Sequence, residues 1–194
     1  MFFRINENDL TELDLQRAMD TLHWLEAARN ELVHWPDLSF AKDTVEYVDL
    51  SHNKITALNF NDLQKLSKLY DLYLEHNLIS SIIPFADDTI KNFLSLSKLY
   101  IHNNELKHIP DFCNERFRNL AFGFTLEFYE NKFECTSCFI WLLNCPNIIY
   151  DFFAECTKSD STTEMVGHLT TEELENIPCD MSGKKTNNFC PFCS

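Results

Sequence analysis

The chain has 194 residues, of which 16 are basic and 30 are acidic, and its formal net charge is −14. This balance argues against nucleic acid as a partner, because binding it requires clustered lysine and arginine. Only three glycines occur, at Gly123, Gly167 and Gly183, and none lies in a run that could cradle a phosphate. A dinucleotide-binding loop and a P-loop are therefore not expected.

An asparagine recurs in a constant apolar frame, beginning near the first residue. An apolar residue stands five positions before it, another three before it, and another two after it. The six asparagines are Asn8, Asn30, Asn53, Asn77, Asn104 and Asn131, at spacings of 22, 23, 24, 27 and 27 residues. A period of this size predicts a stack of similar structural units rather than a globular domain with one catalytic pocket.

Each frame predicts a short strand followed by a turn. Its first two apolar residues point to the same side of a strand, because side chains alternate along it. The asparagine then turns the chain, and its amide can donate to and accept from backbone groups in its own coil and the next one. We therefore expect a solenoid of six units over residues 1–133, held together by a ladder of asparagines.

Residues 45–55, 69–79 and 96–106 match this frame best, and they read VEYVDLSHNKI, LYDLYLEHNLI and LSKLYIHNNEL. They resemble the leucine-rich repeat, L-x-x-L-x-L-x-x-N-x-L. The resemblance covers residues 2–133. It implies an α/β fold: a curved leucine-rich repeat solenoid with a parallel sheet on its concave face.

The outward residues of the predicted strands form an aromatic and acidic strip across successive units. We interpret it as a protein-binding surface, because tyrosine and tryptophan carry much of the binding energy at interfaces. Its acidic members favour a partner with a basic surface. The alternative is that tyrosine simply suits a strand, and that the charge serves solubility. The candidate residues are Trp24, Tyr47, Asp49, Asp71, Tyr73, Glu75, Tyr100, His102, Glu127 and Tyr129.

Three histidines fall at or beside the strand ends in successive units, at His52, His76 and His102. Their protonation could strengthen contact with Glu75 or with an acidic ligand. Solvated turn residues are the simpler interpretation. They do not predict a metal site, because no cysteine or carboxylate joins them at a fitting spacing.

Seven of the eight cysteines lie after residue 130, a distribution typical of a disulfide-bonded terminal cap. A cap is needed because the last coil of a solenoid has no neighbour to cover its apolar face. Residues 131–179 resemble the cysteine-rich C-terminal cap of extracellular leucine-rich repeat proteins. The matching residues are Phe133, Cys135, Cys138, Trp141, Cys156 and Cys179. The first pair is C-x-x-C here, where that family has C-x-C, and Lys132 replaces the usual proline.

The resemblance implies a cap over residues 134–180 with two disulfides, Cys135–Cys156 and Cys138–Cys179. We expect residues 139–143 to form a mostly buried helix, and Thr170 or Thr171 to cap a short acidic helix. The pairing of four further cysteines stays open, namely Cys113, Cys145, Cys190 and Cys193. The alternative to disulfides is zinc bound by the two C-x-x-C pairs, at 135–138 and 190–193.

The chain begins with no signal-peptide pattern, and Phe3 and Ile5 already occupy inward positions of a unit. We therefore expect a fragment that lacks an N-terminal cap. Residues 181–194 are predicted to be a polar tail containing cysteine. No apolar run is long enough to span a bilayer, so membrane attachment is not visible, and oligomeric state is not predicted.

No catalytic signature such as G-x-S-x-G or H-E-x-x-H is present. We therefore expect no enzyme activity, no cofactor and no metal. The resemblance implies non-catalytic recognition of a protein ligand through the concave face, in an extracellular receptor of the Toll-like kind or a secreted Slit-like binder. Innate immunity is the family's commonest association. The alternative is an intracellular scaffold or adaptor with reduced or zinc-bound cysteines.

Overall fold

The computed structural model describes residues 1–15, 21–83, 96–110, 124–143, 148–150 and 154–175. The strands are β1 (Phe2–Arg4), β2 (Trp24–Glu26), β3 (Tyr47–Asp49), β4 (Ala57–Asn59), β5 (Asp71–Tyr73), β6 (Ser81–Ile83), β7 (Lys98–Tyr100), β8 (Phe124–Glu127), β9 (Phe133–Glu134), β10 (Ile148–Tyr150), β11 (Glu155–Thr157) and β12 (Thr163–Met165). The α-helices are α1 (Phe60–Leu63), α2 (Ile140–Leu143) and α3 (Thr171–Glu175). Single 3-10 turns occur at Ser39–Ala41, Ser137–Phe139 and Val166–His168.

Several sequence predictions fall outside the described residues. They concern the tail over 181–194 and the cysteines Cys113, Cys145, Cys179, Cys190 and Cys193. The expected Cys138–Cys179 bond and the remaining pairings therefore stay predictions.

Seven strands form one parallel sheet, in the order β1-β2-β3-β5-β7-β8-β10. The register is constant from coil to coil, so Leu25 lies beside Val48, and Val48 beside Leu72. These central residues point inward and are fully buried, as the alternation of a strand requires. The predicted α/β solenoid with a parallel sheet is confirmed.

The sheet has one strand more than the asparagine frames predict. β10 pairs in parallel with β8, with Ile148 beside Phe124 and Tyr150 beside Leu126. No asparagine of the repeat follows this strand, and the strand lies in the segment that the sequence assigns to the cap. The cap therefore adds a strand to the repeat sheet and continues the solenoid.

One hydrophobic core extends through the coils, built from leucine, isoleucine and valine at first and from phenylalanine towards the C-terminus. Phe128 and Phe133 pack edge to face with ring centroids 5.6 Å apart. Phe133 packs in the same way against Phe139, at 5.2 Å. Phe139 and Leu142 are buried at the start of α2, so this helix covers the apolar face of the last coil.

The repeated asparagines bind the backbone of adjacent coils. Asn77 donates from Nδ2 to the carbonyl oxygen of Leu50 in the preceding coil at 3.0 Å, and to that of Leu74 in its own coil at 3.1 Å. Its Oδ1 accepts the backbone N–H of Ile55 at 2.9 Å. An amide suits this position because it supplies donors and an acceptor together. Equivalent bonds are made by Asn30, Asn53, Asn104 and Asn131.

The residue before each of the six asparagines has a left-handed backbone, although none is glycine. The φ angle lies between 50° and 57° at Glu7, Arg29, His52, His76, Asn103 and Glu130. This conformation costs a residue other than glycine about 1–2 kcal/mol. A bond to the next coil opposes the cost: the N–H of His52, for example, donates to the carbonyl of Glu75 at 2.9 Å. Coil stacking and turn geometry therefore support each other.

The C-terminal cap is organised by a second sheet, in the order β12-β11-β9. A disulfide joins Cys135, just after β9, to Cys156 in β11, and both residues are buried. The first of the two expected disulfides is therefore present. At α3, the Oγ1 of Thr170 accepts the N–H of Glu173 at 3.3 Å, and the Glu173 carboxylate accepts the N–H of Thr170 at 2.9 Å. This is a capping box, which fixes the start of the helix.

The side opposite the main sheet is formed by short elements. β4 and β6 pair in parallel, with Leu58 beside Ile82. The Asn59 side chain accepts the N–H of Asn61 at 3.0 Å and so caps α1. Across the described ranges, no helix has the length and apolar character needed to cross a bilayer.

Asn77→Ala is expected to destabilise the fold strongly. The change leaves the buried N–H of Ile55 without its partner, at about 1–3 kcal/mol before relaxation. It also removes one of two amide donors from the carbonyls of Leu50 and Leu74, which keep bonds from Asn53 and Asn104. We expect the free energy of unfolding to fall by at least about 2 kcal/mol in urea denaturation. Asn8→Ala is the matched control, because Asn8 is exposed and donates to Ile5 and Asn6 in its own coil. Equal losses for the two variants would contradict the ladder account.

Cys135→Ala combined with Cys156→Ala is expected to lower the free energy of unfolding by about 3 kcal/mol. The bond closes a loop between residues 21 positions apart, which restricts the unfolded chain. Urea denaturation measures the loss, and mass mapping of unreduced peptides shows whether the two segments are linked. An unlinked pair in native protein, or an unchanged urea midpoint in the double variant, would show that this disulfide does not stabilise the cap.

Candidate functional site

The outward residues of the seven-stranded sheet form columns that cross the coils, and we call this surface the concave face. In one column Trp24 lies beside Tyr47, and Tyr47 beside Asp71. The next column contains Glu26, Asp49, Tyr73, Tyr100 and Glu127. The third column follows the strand ends. The structure places the ten candidate residues in these three columns, the third holding Glu75, His102 and Tyr129.

Five rings from successive strands stack into a continuous line, which we call the aromatic row. Ring centroids are 5.7 Å apart between Phe2 and Trp24, and 3.8 Å between Trp24 and Tyr47. The line continues from Tyr47 to Tyr73 at 5.1 Å and from Tyr73 to Tyr100 at 4.7 Å. These are favourable separations for aromatic pairs. The row changes column between Tyr47 and Tyr73, so it crosses the face diagonally.

A second line of rings, the histidine row, lies along the strand ends. His52 stacks on His76 at 4.2 Å, and His76 meets His102 edge-on at 5.9 Å. His102 stacks on Tyr129 at 4.4 Å. Burial lowers the pKa of His52, and the neighbouring His76 lowers it further. At neutral pH His52 is therefore an uncharged ring.

Two carboxylates of the concave face are neutralised by cations of the neighbouring strand. Glu26 binds the guanidinium of Arg4 and accepts the indole N–H of Trp24 at 2.9 Å. The bond from Arg4 lowers the pKa of Glu26 despite its burial. Lys98 reaches Asp71 at 3.1 Å. The sequence interpretation included Asp71 among the binding residues, but it did not predict either ion pair.

The centre of the face holds two carboxyl groups that no cation compensates. Within the described part of the chain, no cation pairs with Asp49 or Glu75, and Oε2 of Glu75 is buried without a hydrogen-bond partner. Burial raises the pKa of Glu75 to about 7, and the charges of Asp49 and Glu127 contribute to the rise. Glu75 is therefore poised to change its charge near neutral pH.

The tyrosines of the aromatic row keep their protons at physiological pH. Burial raises the pKa of Tyr47, Tyr73 and Tyr100, and neighbouring carboxylates raise each further. The row therefore offers neutral rings with hydroxyl donors beside ionised carboxylates. Such a surface binds through ring faces and charge, which is chemistry suited to recognition.

The described residues hold no group of three or more histidine, cysteine, aspartate or glutamate side chains arranged to bind a metal ion. The largest cavity described lies away from the concave face, with a volume of about 340 Å³. It is lined by Trp35, Pro36, Leu38 and the Asp62–Lys65 ion pair, among others.

Sequence reasoning missed three contributors to the face. Phe2 and Arg4 extend it at β1, where the Arg4 guanidinium lies 5.2 Å from the centre of the Phe2 ring. Glu26 links Arg4 to Trp24. The signal was available, because Phe2, Arg4 and Glu26 occupy the same frame positions as the residues that were chosen.

Comparison with known proteins agrees with this geometry. Residues 20–79 match the family model described as leucine rich repeat. The chain is 29% identical to human oligodendrocyte-myelin glycoprotein over 114 residues, which are 59% of this chain and 24% of that protein. Its fold resembles the crystal structure of human 5T4 (Wnt-activated inhibitory factor 1, trophoblast glycoprotein), with a TM-score of 0.56 and 18% identity. That match covers 70% of this chain and 49% of 5T4.

The sheet order and these matches show a solenoid fold that is similar to that of leucine-rich repeat proteins. The chain also carries a disulfide, Cys135–Cys156, in its C-terminal cap. It spans about a quarter of oligodendrocyte-myelin glycoprotein and about half of 5T4.

Glu75→Gln is expected to stabilise the protein at alkaline pH. The unfolded side chain ionises near pH 4.5 and the folded one near 7, so the folded state holds a proton that the unfolded state has released. Wild-type stability therefore falls as pH rises through this interval, and the loss is complete above it. We expect the variant to gain about 1–2 kcal/mol over wild type at about pH 8, a value reduced because the side chain is only partly buried.

The gain should vanish at about pH 4, where Glu75 is protonated in both the folded and the unfolded state. Urea denaturation at the two pH values measures the difference. Glu134→Gln is the control, because this half-exposed carboxylate pairs with Lys107 at the surface. A variant whose difference from wild type is the same at both pH values would show that Glu75 has no raised pKa.

Proposed function

We propose that this chain is a non-catalytic module that recognises a protein partner through the concave face. The observation that carries the proposal is the aromatic row, whose five rings cross successive coils at centroid distances of 3.8–5.7 Å. Its rings remain accessible at the surface: Trp24 is 37% exposed and Phe2 is 52% exposed. Tyrosine and tryptophan are enriched at the anchor positions of interfaces.

The aromatic row is organised before any partner arrives. Each ring packs on a ring of the next coil, and the Trp24 indole is also fixed by its bond to Glu26 at 2.9 Å. Side chains that are already ordered lose little conformational entropy on binding, typically about 0.5–1.5 kcal/mol less for each one. The stacked row therefore favours recognition over a role as passive surface.

The partner is proposed to present a basic surface. The chain carries a net charge of −14, and the concave face contributes uncompensated carboxylates at Asp49 and Glu75. Complementary charge speeds encounter and selects against acidic partners. The acidic and aromatic groups lie in adjoining columns, so one surface can use both.

The proposed setting is extracellular, as part of a receptor or a secreted binder. The buried Cys135–Cys156 disulfide fits an oxidising compartment. Two relatives by sequence or fold are named as glycoproteins. The disulfide favours this setting over an intracellular scaffold with reduced or zinc-bound cysteines. An innate immune role is a narrower version of the same proposal and depends on the identity of the partner.

Tyr73→Ala combined with Tyr100→Ala is expected to weaken partner binding at least ten-fold, roughly the loss of one anchor. A multimerised form of the chain is screened against a panel of secreted proteins and ectodomains. The dissociation constant of the purified pair is then measured by biolayer interferometry. Circular dichroism establishes that the variant is folded.

Tyr70→Ala is the matched control, because Tyr70 is 50% exposed and stands outside the aromatic row. It should leave the affinity within about two-fold of wild type. Unchanged binding by the Tyr73 and Tyr100 variant would place the recognition site on another face of the solenoid.

A further inference from the structure

The charged groups of the concave face are unequally paired. Glu26 binds Arg4, Asp71 binds Lys98, and Glu127 approaches His102, with Oε2 to Nδ1 at 3.7 Å. Asp49 and Glu75 remain without a cation in the described residues. The uncompensated charge therefore lies at the middle of the sheet, on two neighbouring coils.

Two stacked tyrosines border these carboxylates. The register places Asp49 directly beside Tyr73, and Tyr73 directly beside Tyr100. Glu75 follows Tyr73 by two residues on the same side of the chain. We call Asp49, Tyr73, Glu75 and Tyr100 the central patch. It combines the outer rims of two stacked rings with carboxylate oxygens, one of which is buried and accepts no hydrogen bond from the described residues.

The same face already shows how such groups bind a guanidinium. At β1, Arg4 lies 5.2 Å from the centre of the Phe2 ring and binds the Glu26 carboxylate through Nε and through Nη2, the latter at 3.1 Å. A ring and a carboxylate from adjacent strands thus hold one arginine. The central patch again brings a ring and a carboxylate from adjacent strands together, in the middle coils, but no residue of the described chain supplies the cation.

We propose that the central patch receives an arginine side chain from the protein partner. The guanidinium lies over the outer rims of the stacked Tyr73 and Tyr100 rings and donates hydrogen bonds to Asp49 and Glu75. This inference rests on the proposed function, and it specifies which group of a basic partner is recognised there.

The chemistry favours arginine over the other cations. Its guanidinium is planar, has five N–H donors and donates to two carboxylate oxygens together, whereas a lysine ammonium is a compact point charge. A calcium ion would need six to eight oxygen ligands, and the central patch offers two carboxylates. A buried carboxylate oxygen without a donor is costly, and a guanidinium N–H satisfies it.

The acid–base properties of the site agree with this geometry. Burial raises the pKa of Glu75, so a bound cation should favour its ionised form and release a proton. The titratable groups around Glu75 are Asp49 and His52 from the β3 coil, Tyr73 and His76 from its own coil, Tyr100 and His102 from the β7 coil, and Glu127 from β8. Protonated histidines add positive charge, so both effects strengthen arginine binding as pH rises.

The test uses synthetic peptides and the whole chain. The probe is an acetylated Gly-Ser peptide containing arginines, and its counterparts carry citrulline or lysine at the same positions. Amide shifts in a nuclear magnetic resonance titration should saturate and should centre on residues 49, 73, 75 and 100. We expect the citrulline peptide, which keeps the shape but lacks the charge, to bind at least about ten-fold more weakly. Lysine should be weaker than arginine.

Asp49→Asn combined with Glu75→Gln is expected to weaken the arginine peptide at least about ten-fold. Asparagine keeps an oxygen for the bond that Asp49 accepts from the Ser51 N–H at 3.0 Å, so the fold should survive. Glu31→Gln combined with Glu134→Gln is the control, because it changes the net charge equally at the partly exposed Lys54 and Lys107 ion pairs. It should alter affinity by no more than about two-fold.

Three results would overturn the inference: equal binding of the citrulline peptide, equal weakening by the control variant, or shifts centred away from the patch. Binding measurements with the protein partner distinguish failure of the arginine site from failure of the proposed function. If loss of Tyr73 and Tyr100 abolishes partner binding while Asp49→Asn with Glu75→Gln does not, the arginine site is wrong and the recognition surface stands. If neither variant affects the partner, the proposed function fails as well.

Discussion

Hydrogen bonding between successive coils is the constraint on which this structure depends. Wherever the chain leaves a strand, backbone groups are turned into an interior from which water is excluded. Asn53 satisfies such groups: it donates to the carbonyls of Ala27 and Leu50 and accepts the N–H of Leu32, each at 3.0 Å. A buried backbone group without a partner costs about 1–3 kcal/mol, so the amide is required once in every coil. The period of the sequence reflects this requirement.

The same constraint determines the chemistry of the concave face. Because the register never slips, each outward position meets its counterpart in the next coil, and side chains can interact along the whole array. Tyr47 and Tyr73 occupy different columns, yet their rings meet at 5.1 Å, since aromatic side chains reach diagonal neighbours. A row of stacked rings beside paired and unpaired carboxylates follows from this regularity.

The sequence predicted the six repeat strands, the asparagine ladder and the outward columns, because all three depend on a strict period and on simple alternation. The ion pairs of Arg4 and Lys98 depend in addition on the conformations of long side chains, which no spacing reveals. The altered acidity of Glu75 depends on its burial, which the pattern does not measure. The left-handed turns carry no glycine to mark them, and no asparagine of the repeat follows β10. The Cys135–Cys156 bond was predicted through resemblance to a family, not through spacing alone.

The seventh strand has a consequence for how an array of this kind can change in length. The cap does not close the solenoid as a separate lid, because β10 pairs with β8 as one more rung of the main sheet. A cap that pairs with the last coil in the same strand register could follow any coil that ends in the same way. Duplication or deletion of one unit would therefore lengthen or shorten the recognition surface by one strand spacing, about 4.8 Å, while leaving both the interior and its closure intact.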